Sequence, residues 1–376
     1  MQRFCERCER VTVDGNLWCQ DLECPAERGY PLLSYGDFIA DLKVTKLVRV
    51  WRTASLYEAQ RGDQPLLLKV AHPTDECNDR LRRESVSIQA LSPRTSGLRS
   101  FARSFFPASR PVYPVSVPAF PDRSSQPYGE ISLHGQPRVF SVYKYARGKI
   151  LSDLMLENSQ LWHTQSAWII ETVGAALRPL VANEKLHLCL SPDIILVDKD
   201  KDGILRPMLL DLGLLIDGPE IAVISEWQKM IEPAYTAPEV FVASQNGGPT
   251  SAADSYSLGM IYYEMLAGRP AYETKMLRDD QLREDVIESR KPPPVGRPEL
   301  EHSGVAAILE RAVAPTNRYE NVLQFIGALT EVYSSPPRER RAVPRRLYLL
   351  IALVGLPLLA AGIFTGLTLL QVLSSG

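Results

Sequence analysis

The sequence predicts an α+β protein with one large mixed domain over residues 38–333. The apolar run LLLKVAH at 66–72 is typical of a strand, and LRRESVSIQAL at 81–91 is typical of an amphipathic helix. The composition, 45% hydrophobic and 23% charged over 376 residues, is that of a globular protein. It excludes a chain that is disordered throughout.

The overall charge argues against one broad class of function. The 42 Lys and Arg residues nearly balance the 44 Asp and Glu residues, which leaves a net charge of −2. Binding to nucleic acid draws on positive charge, so we expect no nucleic acid as the main ligand. Six cysteines are too few for a disulfide scaffold. The start, MQRFCERCER, has no apolar run, so we expect no signal peptide.

Four cysteines are clustered within residues 1–29. Cys5 and Cys8 form one closely spaced pair, and Cys19 and Cys24 form a second. Two such pairs can supply the four thiolates of a structural zinc site, and the metal would stabilise a segment too short to fold alone. A disulfide or redox pair and chance spacing are the alternatives. The segment resembles a zinc ribbon of the kind appended to bacterial signalling proteins, and we expect its core to be separate from the following domain.

The C-terminal residues have the composition of a membrane span. Residues 347–373, LYLLIALVGLPLLAAGIFTGLTLLQVL, carry no charge and exceed the roughly 20 residues that a helix needs to cross a bilayer. The Pro/Arg linker at 334–346 holds five arginines, which the positive-inside rule assigns to the cytoplasm. We therefore expect a single-pass protein of the cell membrane, anchored at its C-terminus with the folded domains in the cytoplasm. The GxxxG pair Gly362 and Gly366 can bring two such helices together as a homodimer.

Eight segments of the central domain occur in the order found in protein kinases. They are the strand at 66–72 with Lys69, the helix at 81–91 with Glu84, FSVYKYARGKILSDL at 140–154, LHLCLSPDIILV at 186–197, LLDLGLL at 209–215 with Asp211, AYTAPEV at 234–240, DSYSLGMIYYEMLAGRPAY at 254–272 and PTNRYENVLQFIGAL at 315–329. The chain therefore resembles the Ser/Thr protein kinase superfamily, in a form of bacterial type. The resemblance implies a bilobal fold, with an N-lobe over 38–145 and a C-lobe over 146–333.

The catalytic loop departs from the family pattern. His187 is kept, but Cys189 stands where the resemblance places the catalytic Asp, Ser191 where it places the phosphate-contacting Lys, and Ile194 where it places the Asn that holds a second Mg²⁺. An isoleucine offers no oxygen to Mg²⁺. A thiol does not replace the carboxylate that orients a substrate hydroxyl, so no catalytic position of this loop is intact.

The loop that lies over the ATP phosphates in this family has lost its three glycines. The corresponding positions hold Arg49, Trp51 and Ala54, two of them with large side chains. Large side chains hinder the close approach of phosphates, although Arg49 offers a compensating positive charge.

Three residues of the nucleotide site are retained. The resemblance implies that Lys69 and Glu84 pair to position ATP and that Asp211 ligates a metal. The Lys69–Glu84 pair also has a structural interpretation, because it would lock the helix to the sheet. Binding of ATP and Mg²⁺ therefore stays open.

Other matched residues imply roles in holding the fold. Glu239 and Arg318 resemble a buried ion pair, and Asp254 resembles the cap of the catalytic-loop backbone. The segment 93–138 is rich in Pro and Ser and longer than the usual connection there. Its part near PVYPVSV is expected to form an edge strand, and the remainder is either a partner-binding loop or a disordered insertion.

A retained architecture with a degenerate catalytic loop is typical of a pseudokinase. Our primary interpretation is a membrane-tethered pseudokinase that acts on protein partners of a signalling pathway as a scaffold or allosteric regulator. The alternatives are an atypical active Ser/Thr protein kinase and an ATP-binding sensor without transfer. Structural zinc is the expected cofactor, and for ATP with Mg²⁺ we expect weak binding or none.

Overall fold

The computed structural model divides the chain into two units, residues 1–334 and residues 335–376. The described residues are 2–5, 11–12, 29–91, 120–121, 127–158, 160–217, 219–220, 225–242, 248–272, 279–288, 292, 294–301 and 303–333. The whole second unit lies outside them. The predicted linker, the predicted span and the pair Gly362 and Gly366 are therefore also outside the described residues.

Three two-residue strands near the N-terminus form a small antiparallel sheet. They are β1 (Arg3–Phe4), β2 (Val11–Thr12) and β3 (Tyr30–Pro31), in the order β2-β1-β3. The Phe4 ring stacks on the imidazole of His72 with centroids 4.9 Å apart, and the Tyr30 ring lies 5.7 Å from the same imidazole. Leu33 is buried in the core of the large sheet that follows. Phe4 therefore packs on the central domain, a contact that the expectation of a separate N-terminal core did not include, and most of residues 1–29 lie outside the described residues.

The central domain begins with a six-stranded antiparallel sheet. Its strands are β4 (Phe38–Ile39), β5 (Leu42–Val50), β6 (Ala54–Arg61), β7 (Gln64–Ala71), β8 (Tyr128–Leu133) and β9 (Gln136–Lys144), in the spatial order β4-β5-β6-β7-β9-β8. Side chains alternate along β7, so Leu66 and Leu68 enter one core while Leu67 enters the other. This alternation places Lys69 on the face covered by helix α1 (Asp75–Leu91).

The Pro-rich segment 93–138 is described only in part. Its last residues belong to the β8–β9 hairpin, so the described end of the predicted insertion is regular sheet. One edge of the sheet is formed by β8 and the other by β4. The stretch PVYPVSV, expected to supply an edge strand, lies outside the described residues.

The C-terminal part of the domain combines a small sheet with most of the helices. Its antiparallel strands are β10 (Lys149–Ile150), β11 (Ile195–Lys199) and β12 (Leu205–Leu209). The helices are α2 (Leu151–Glu157), α3 (His163–Ala176), α4 (Arg178–Ala182), α5 (Pro238–Phe241), α6 (Ala252–Ala267), α7 (Asp279–Ile287), α8 (Pro298–Glu301), α9 (Val305–Ala312) and α10 (Val322–Val332), with 3₁₀ turns at Pro192–Ile194, Ser225–Met230 and Pro233–Tyr235. Helix α6 is buried along nearly its whole length and forms the centre of the helical core.

The α+β architecture predicted from the sequence is confirmed. A part rich in sheet precedes a part rich in helix, and the cleft between them is lined by β7, α1 and the residues after β12. Within the described ranges, no helix combines the length and the apolar character needed to cross a bilayer.

Candidate functional site

Lys69 and Glu84 form a buried ion pair between the sheet and helix α1. Glu84 shares a face of α1 with Ile88, one helical turn later, and this face is turned to the core. The Nζ atom of Lys69 lies 2.8 and 2.7 Å from the two carboxylate oxygens of Glu84. Both side chains are fully buried. The pair therefore fixes α1 against β7.

Asp211 brings a second carboxylate to Lys69. It opens the Asp-Leu-Gly segment soon after β12, and its Oδ2 accepts a hydrogen bond from Lys69 Nζ at 2.6 Å. Its Oδ1 accepts one from the backbone N–H of Gly213 at 2.7 Å. Gly213 has a φ of +72°, and a Cβ there would lie 2.1 Å from the carbonyl oxygen of His187. The segment therefore requires glycine at this position.

Arg80 is the fourth charged group at this place and precedes Glu84 by one helical turn. Its side chain is fully buried, and its guanidinium donates to Asp211 Oδ1 and lies 3.4 Å from Glu84. Burial opposes the charge on Arg80, but Asp211 and Glu84 raise its pKa. Burial would also raise the pKa of Asp211, yet Arg80 and Lys69 outweigh it and hold that pKa below its usual range. We call Lys69, Arg80, Glu84 and Asp211 the charge cluster; its two cations face two carboxylates.

The end of β5 and the connection to β6, residues 49–53, which we together call the hairpin turn, lie beside the charge cluster. Trp51 is 8% exposed, and its ring centroid lies 5.0 Å from Lys69 Nζ, which is a cation–π distance. The indole N–H donates to the backbone carbonyl of Asp193 at 3.1 Å. On the other side, His72 Nε2 donates to the carbonyl of Trp51 at 2.7 Å, and burial lowers the pKa of His72 to about 4. Trp51 is therefore held by a neutral imidazole and by the opposite wall of the cleft.

Two arginines tie the same hairpin turn to the helical part. Arg49 pairs with Asp153 of α2 at 2.7 Å and lies 3.5 Å from the carboxylate of Asp193. Arg52 forms a two-point ion pair with Asp279, the first residue of α7, at 2.5 and 3.1 Å. Together with the Trp51 hydrogen bond, these pairs join the turn to the far wall of the cleft at three places.

Asp254, in the first turn of α6, supports the backbone of the catalytic-loop segment. Its carboxylate accepts the backbone N–H groups of His187 and Leu188, each at 2.8 Å, which confirms the predicted cap. Burial raises the pKa of Asp254 to about 6 against the opposing effect of these two donors. His187 Nε2 donates to the backbone carbonyl of Asp211 at 2.8 Å. The loop is thus anchored to both α6 and the Asp-Leu-Gly segment.

The three replaced positions of this loop differ in their surroundings. Cys189 is partly buried, its Sγ lies 3.7 Å from the carbonyl of Met230, and burial raises the pKa of the thiol to about 12. Ser191 is 4% exposed. Ile194 is also 4% exposed and lies within the main hydrophobic core. None of these side chains presents a carboxylate, a cation or an amide to the cleft.

Comparison with other proteins identifies the family. The family model for the protein kinase domain matches residues 132–328, just over half of the chain. The chain belongs to the protein kinase family. A solved relative in fold is the kinase domain of Mycobacterium tuberculosis PknI, which aligns over 80% of this chain and 100% of that domain, with a TM-score of 0.50 and 19% identity. The kinase fold predicted from the ordered motifs is therefore confirmed.

Curated relatives include bacterial Ser/Thr protein kinases. The chain is 34% identical to the Ser/Thr protein kinase PkaA of Streptomyces coelicolor over 128 residues, which is 33% of this chain and 22% of that protein. It is 24% identical to the Ser/Thr protein kinase PknA of Mycobacterium tuberculosis over 264 residues, which is 69% of this chain and 58% of that protein. The matches thus span less than two thirds of the length of these relatives.

Protein kinases use ATP and Mg²⁺, and the residues of this kinase fold do not fit that pair. Both oxygens of Asp211 accept hydrogen bonds from the protein, and Ile194 carries no oxygen that Mg²⁺ could take. The indole of Trp51 lies beside the ammonium group of Lys69 that would meet the phosphates.

The predicted site residues have different outcomes. Lys69, Glu84 and Asp211 come together as the sequence predicts. A role of these three residues in nucleotide binding stays a prediction. Of the predicted zinc ligands only Cys5 is described; it is buried directly after β1. Cys8, Cys19 and Cys24 lie outside the described residues. Among the residues that the structure does describe, no group of three or more His, Cys, Asp or Glu side chains is placed to hold a metal.

Sequence reasoning missed Arg80, because the predicted helix at 81–91 begins one residue after it. A usable signal was present: Arg80 is four residues before Glu84, and that spacing puts a cation and an anion on one helix face. The glycine-loop position of Trp51 was identified, but its hydrogen bond to Asp193, 142 residues away in sequence, had no local signal.

Proposed function

We propose that this kinase-family chain is a pseudokinase, which acts on protein partners of a signalling pathway as a scaffold or allosteric regulator and transfers little or no phosphate. The observation that carries the proposal is the catalytic loop. Its backbone is anchored by Asp254, yet Cys189, Ser191 and Ile194 occupy the positions of the base, the cation and the metal ligand.

The magnitude of the losses supports this proposal. Phosphoryl transfer depends on positioning and on charge stabilisation. A general acid or base contributes roughly 10²–10⁴ to a rate, and a thiol with a pKa of about 12 stays protonated at neutral pH. Ser191 supplies no charge, and Ile194 holds no metal. Losses within one catalytic unit do not add simply, but three together leave little rate enhancement.

We also propose a membrane tether for this pseudokinase. Residues 347–373 are uncharged and long enough to cross a bilayer, and the arginines of 334–346 favour a cytoplasmic linker. Gly362 and Gly366 would line a contact between two such helices. Alkaline carbonate extraction tests the tether: the full-length chain should remain in the membrane pellet, and a chain ending at Ser335 should not.

The catalytic proposal is tested by radiolabelled ATP. Full-length wild type, Lys69→Ala and Asp211→Ala are incubated with Mg²⁺ or Mn²⁺ and a generic protein substrate, beside an active Ser/Thr kinase as the positive control. Lys149→Ala removes an exposed lysine and serves as the matched control. We expect no incorporation above background in any of the four chains.

The names of the curated relatives favour the competing function, an atypical active Ser/Thr kinase. Incorporation that Lys69→Ala and Asp211→Ala both abolish, while Lys149→Ala leaves it intact, would establish that function and overturn ours. Incorporation that survives both cluster variants would come from a contaminating kinase.

A further inference from the structure

We infer that the ATP cleft of this protein is filled by its own side chains, with Arg80 in place of the divalent cation and Trp51 beside Lys69 where phosphates would enter, so that it binds neither Mg²⁺ nor Mg²⁺-ATP. The inference rests on the proposed function and deepens it, because it states what occupies the same cleft.

The charge balance is the first argument. The side chains of Lys69, Arg80 and Glu84 are fully buried, and that of Asp211 is 3% exposed. Two cations already face two carboxylates at hydrogen-bond distance. A divalent cation added to this balanced cluster would leave an excess of two positive charges away from water, and uncompensated buried charge is strongly unfavourable.

The hydrogen-bond inventory is the second argument. A lysine ammonium has three donors, and those of Lys69 are directed to both oxygens of Glu84 and to Oδ2 of Asp211. The other oxygen of Asp211 accepts from Arg80 and from the backbone of Gly213. A phosphate at Lys69 or a metal at Asp211 would therefore have to break contacts that the protein already makes.

The third observation concerns the hairpin turn that lies beside the charge cluster. The ring of Trp51 lies 5.0 Å from the buried ammonium of Lys69, and its indole N–H donates to the backbone carbonyl of Asp193 across the cleft. The ion pairs of Arg49 and Arg52 hold the same hairpin turn to α2 and α7. The two lobes are thus joined without a ligand.

Ligand titration of the full-length chain tests the inference. Thermal unfolding is followed with Mg²⁺ or Mn²⁺ alone, with ATP and EDTA, and with ATP and metal; binding of a fluorescent ATP analogue is measured in parallel. For a domain of this size, a ligand at about 100 times its Kd would raise the Tm by roughly 5 °C. We expect no shift for wild type under any condition.

The double variant Arg80→Met/Trp51→Gly should gain what wild type lacks. Removing Arg80 leaves one excess negative charge in the cluster, which a metal can complement, and removing the indole opens the side of Lys69. We expect binding of the ATP analogue that strengthens at least tenfold when Mg²⁺ or Mn²⁺ replaces EDTA. Arg82→Met is the matched control, because Arg82 lies on the same helix but is exposed and pairs with Asp79 and Glu130.

The outcomes separate this inference from the proposed function. Metal-dependent ATP binding by wild type would overturn the inference, and without phosphate transfer it would leave the pseudokinase proposal standing. A double variant that keeps its circular dichroism spectrum but gains no metal response would also overturn it. If the double variant does not fold, two other measurements test the inference. They are the wild-type titration and ATP binding by the single variant Trp51→Gly, which we expect to bind ATP without any metal dependence.

Discussion

The side chain of Phe4 lies parallel to the imidazole of His72, with ring centroids 4.9 Å apart and ring planes 12° apart. The same imidazole donates its Nε2 hydrogen to the carbonyl of Trp51. One ring therefore joins the N-terminal segment, which carries the proposed zinc ligands, to the hairpin turn that lies beside the charge cluster.

Replacing Phe4 should destabilise the domain as a whole. Phe4 is 2% exposed, and truncation of a buried phenylalanine typically costs about 3 kcal/mol or more. We expect Phe4→Ala to lower the free energy of unfolding by about that amount in urea denaturation. Phe38→Ala is the control: Phe38 is 61% exposed, so its loss should stay within about 0.5 kcal/mol. Equal effects of the two variants would contradict the contact.

We expect the chain to bind zinc, and we expect the metal to stabilise the central domain as well as the N-terminal segment. We expect elemental analysis of chelator-free protein to find about one zinc ion per chain, and Cys8→Ser to abolish it. Because Phe4 packs on His72, loss of the metal should also lower the Tm of the central domain. Cys77→Ala, a change in α1, should retain the metal. Chelator-free protein that contains no zinc would contradict the metal site. A Cys8→Ser chain with an unchanged Tm would contradict the effect of the metal on the central domain.

Two glycines with similar backbone angles should respond differently to alanine. Gly203 has a φ of +77° with no atom within 4 Å of an added Cβ, whereas Gly213 has a φ of +72° and a Cβ there would meet the His187 carbonyl. Left-handed backbone costs an alanine about 1–2 kcal/mol. We expect Gly203→Ala to show only this loss in chemical denaturation. Gly213→Ala should lose more, because the Asp-Leu-Gly segment must also move.

The neutral imidazole of His72 should make stability depend on pH. Its pKa is about 4 in the folded chain, lowered mainly by burial from an ordinary 6.5, so between these values the unfolded chain binds a proton that the folded chain does not. This contribution is therefore present above pH 6.5 and is lost as the pH falls towards 4. His72→Gln keeps a donor for the Trp51 carbonyl but cannot titrate.

Urea denaturation at several pH values from 7.5 to 4.5 measures this effect of His72. Relative to wild type, the unfolding free energy of His72→Gln should depend less steeply on pH, by up to about 1.4 kcal/mol per pH unit. Parallel curves for the two chains would show that the imidazole does not act in this way.

The Arg318–Glu239 ion pair should contribute far more to stability than an exposed pair. Arg318 is nearly buried, donates to Glu239 at 2.5 Å and lies over the ring of Tyr256. Removing one partner of a buried pair typically costs about 3–5 kcal/mol, whereas an exposed pair contributes about 0–1 kcal/mol. We expect Arg318→Ala to fall in the first range and Lys149→Ala, which breaks the exposed pair with Glu157, in the second. Similar Tm values for the two variants would exclude this role of Arg318.

Much of the kinase fold could be predicted because its motifs are recognisable within short segments and occur in a fixed order along the chain. Lys69 follows from an apolar strand, Glu84 from the face of a helix, and Asp254 from the start of a long buried helix. Each of these residues has the contact that its motif implies. The pairing of Glu239 with Arg318 was predictable for the same reason.

The contents of the cleft could not be predicted in this way. Asp211, one of the two carboxylate partners of Arg80, lies 131 residues away, and a buried arginine is tolerated because such partners are there. The stacking of Phe4 on His72 likewise depends on tertiary packing, which cysteine spacing does not encode. A separate N-terminal core was therefore the natural expectation from the sequence, and the packing of Phe4 on the central domain departs from it.

The burial of the replaced catalytic positions bears on how such a chain can evolve. An asparagine restored at Ile194 would place an amide in an apolar core, and an aspartate restored at Cys189 would add a negative charge near Asp211 and Asp254. Arg80 would still hold Asp211 after either reversion. Each of these substitutions made alone would thus destabilise the folded chain. The packing of this interior therefore opposes the stepwise introduction of the family's catalytic residues.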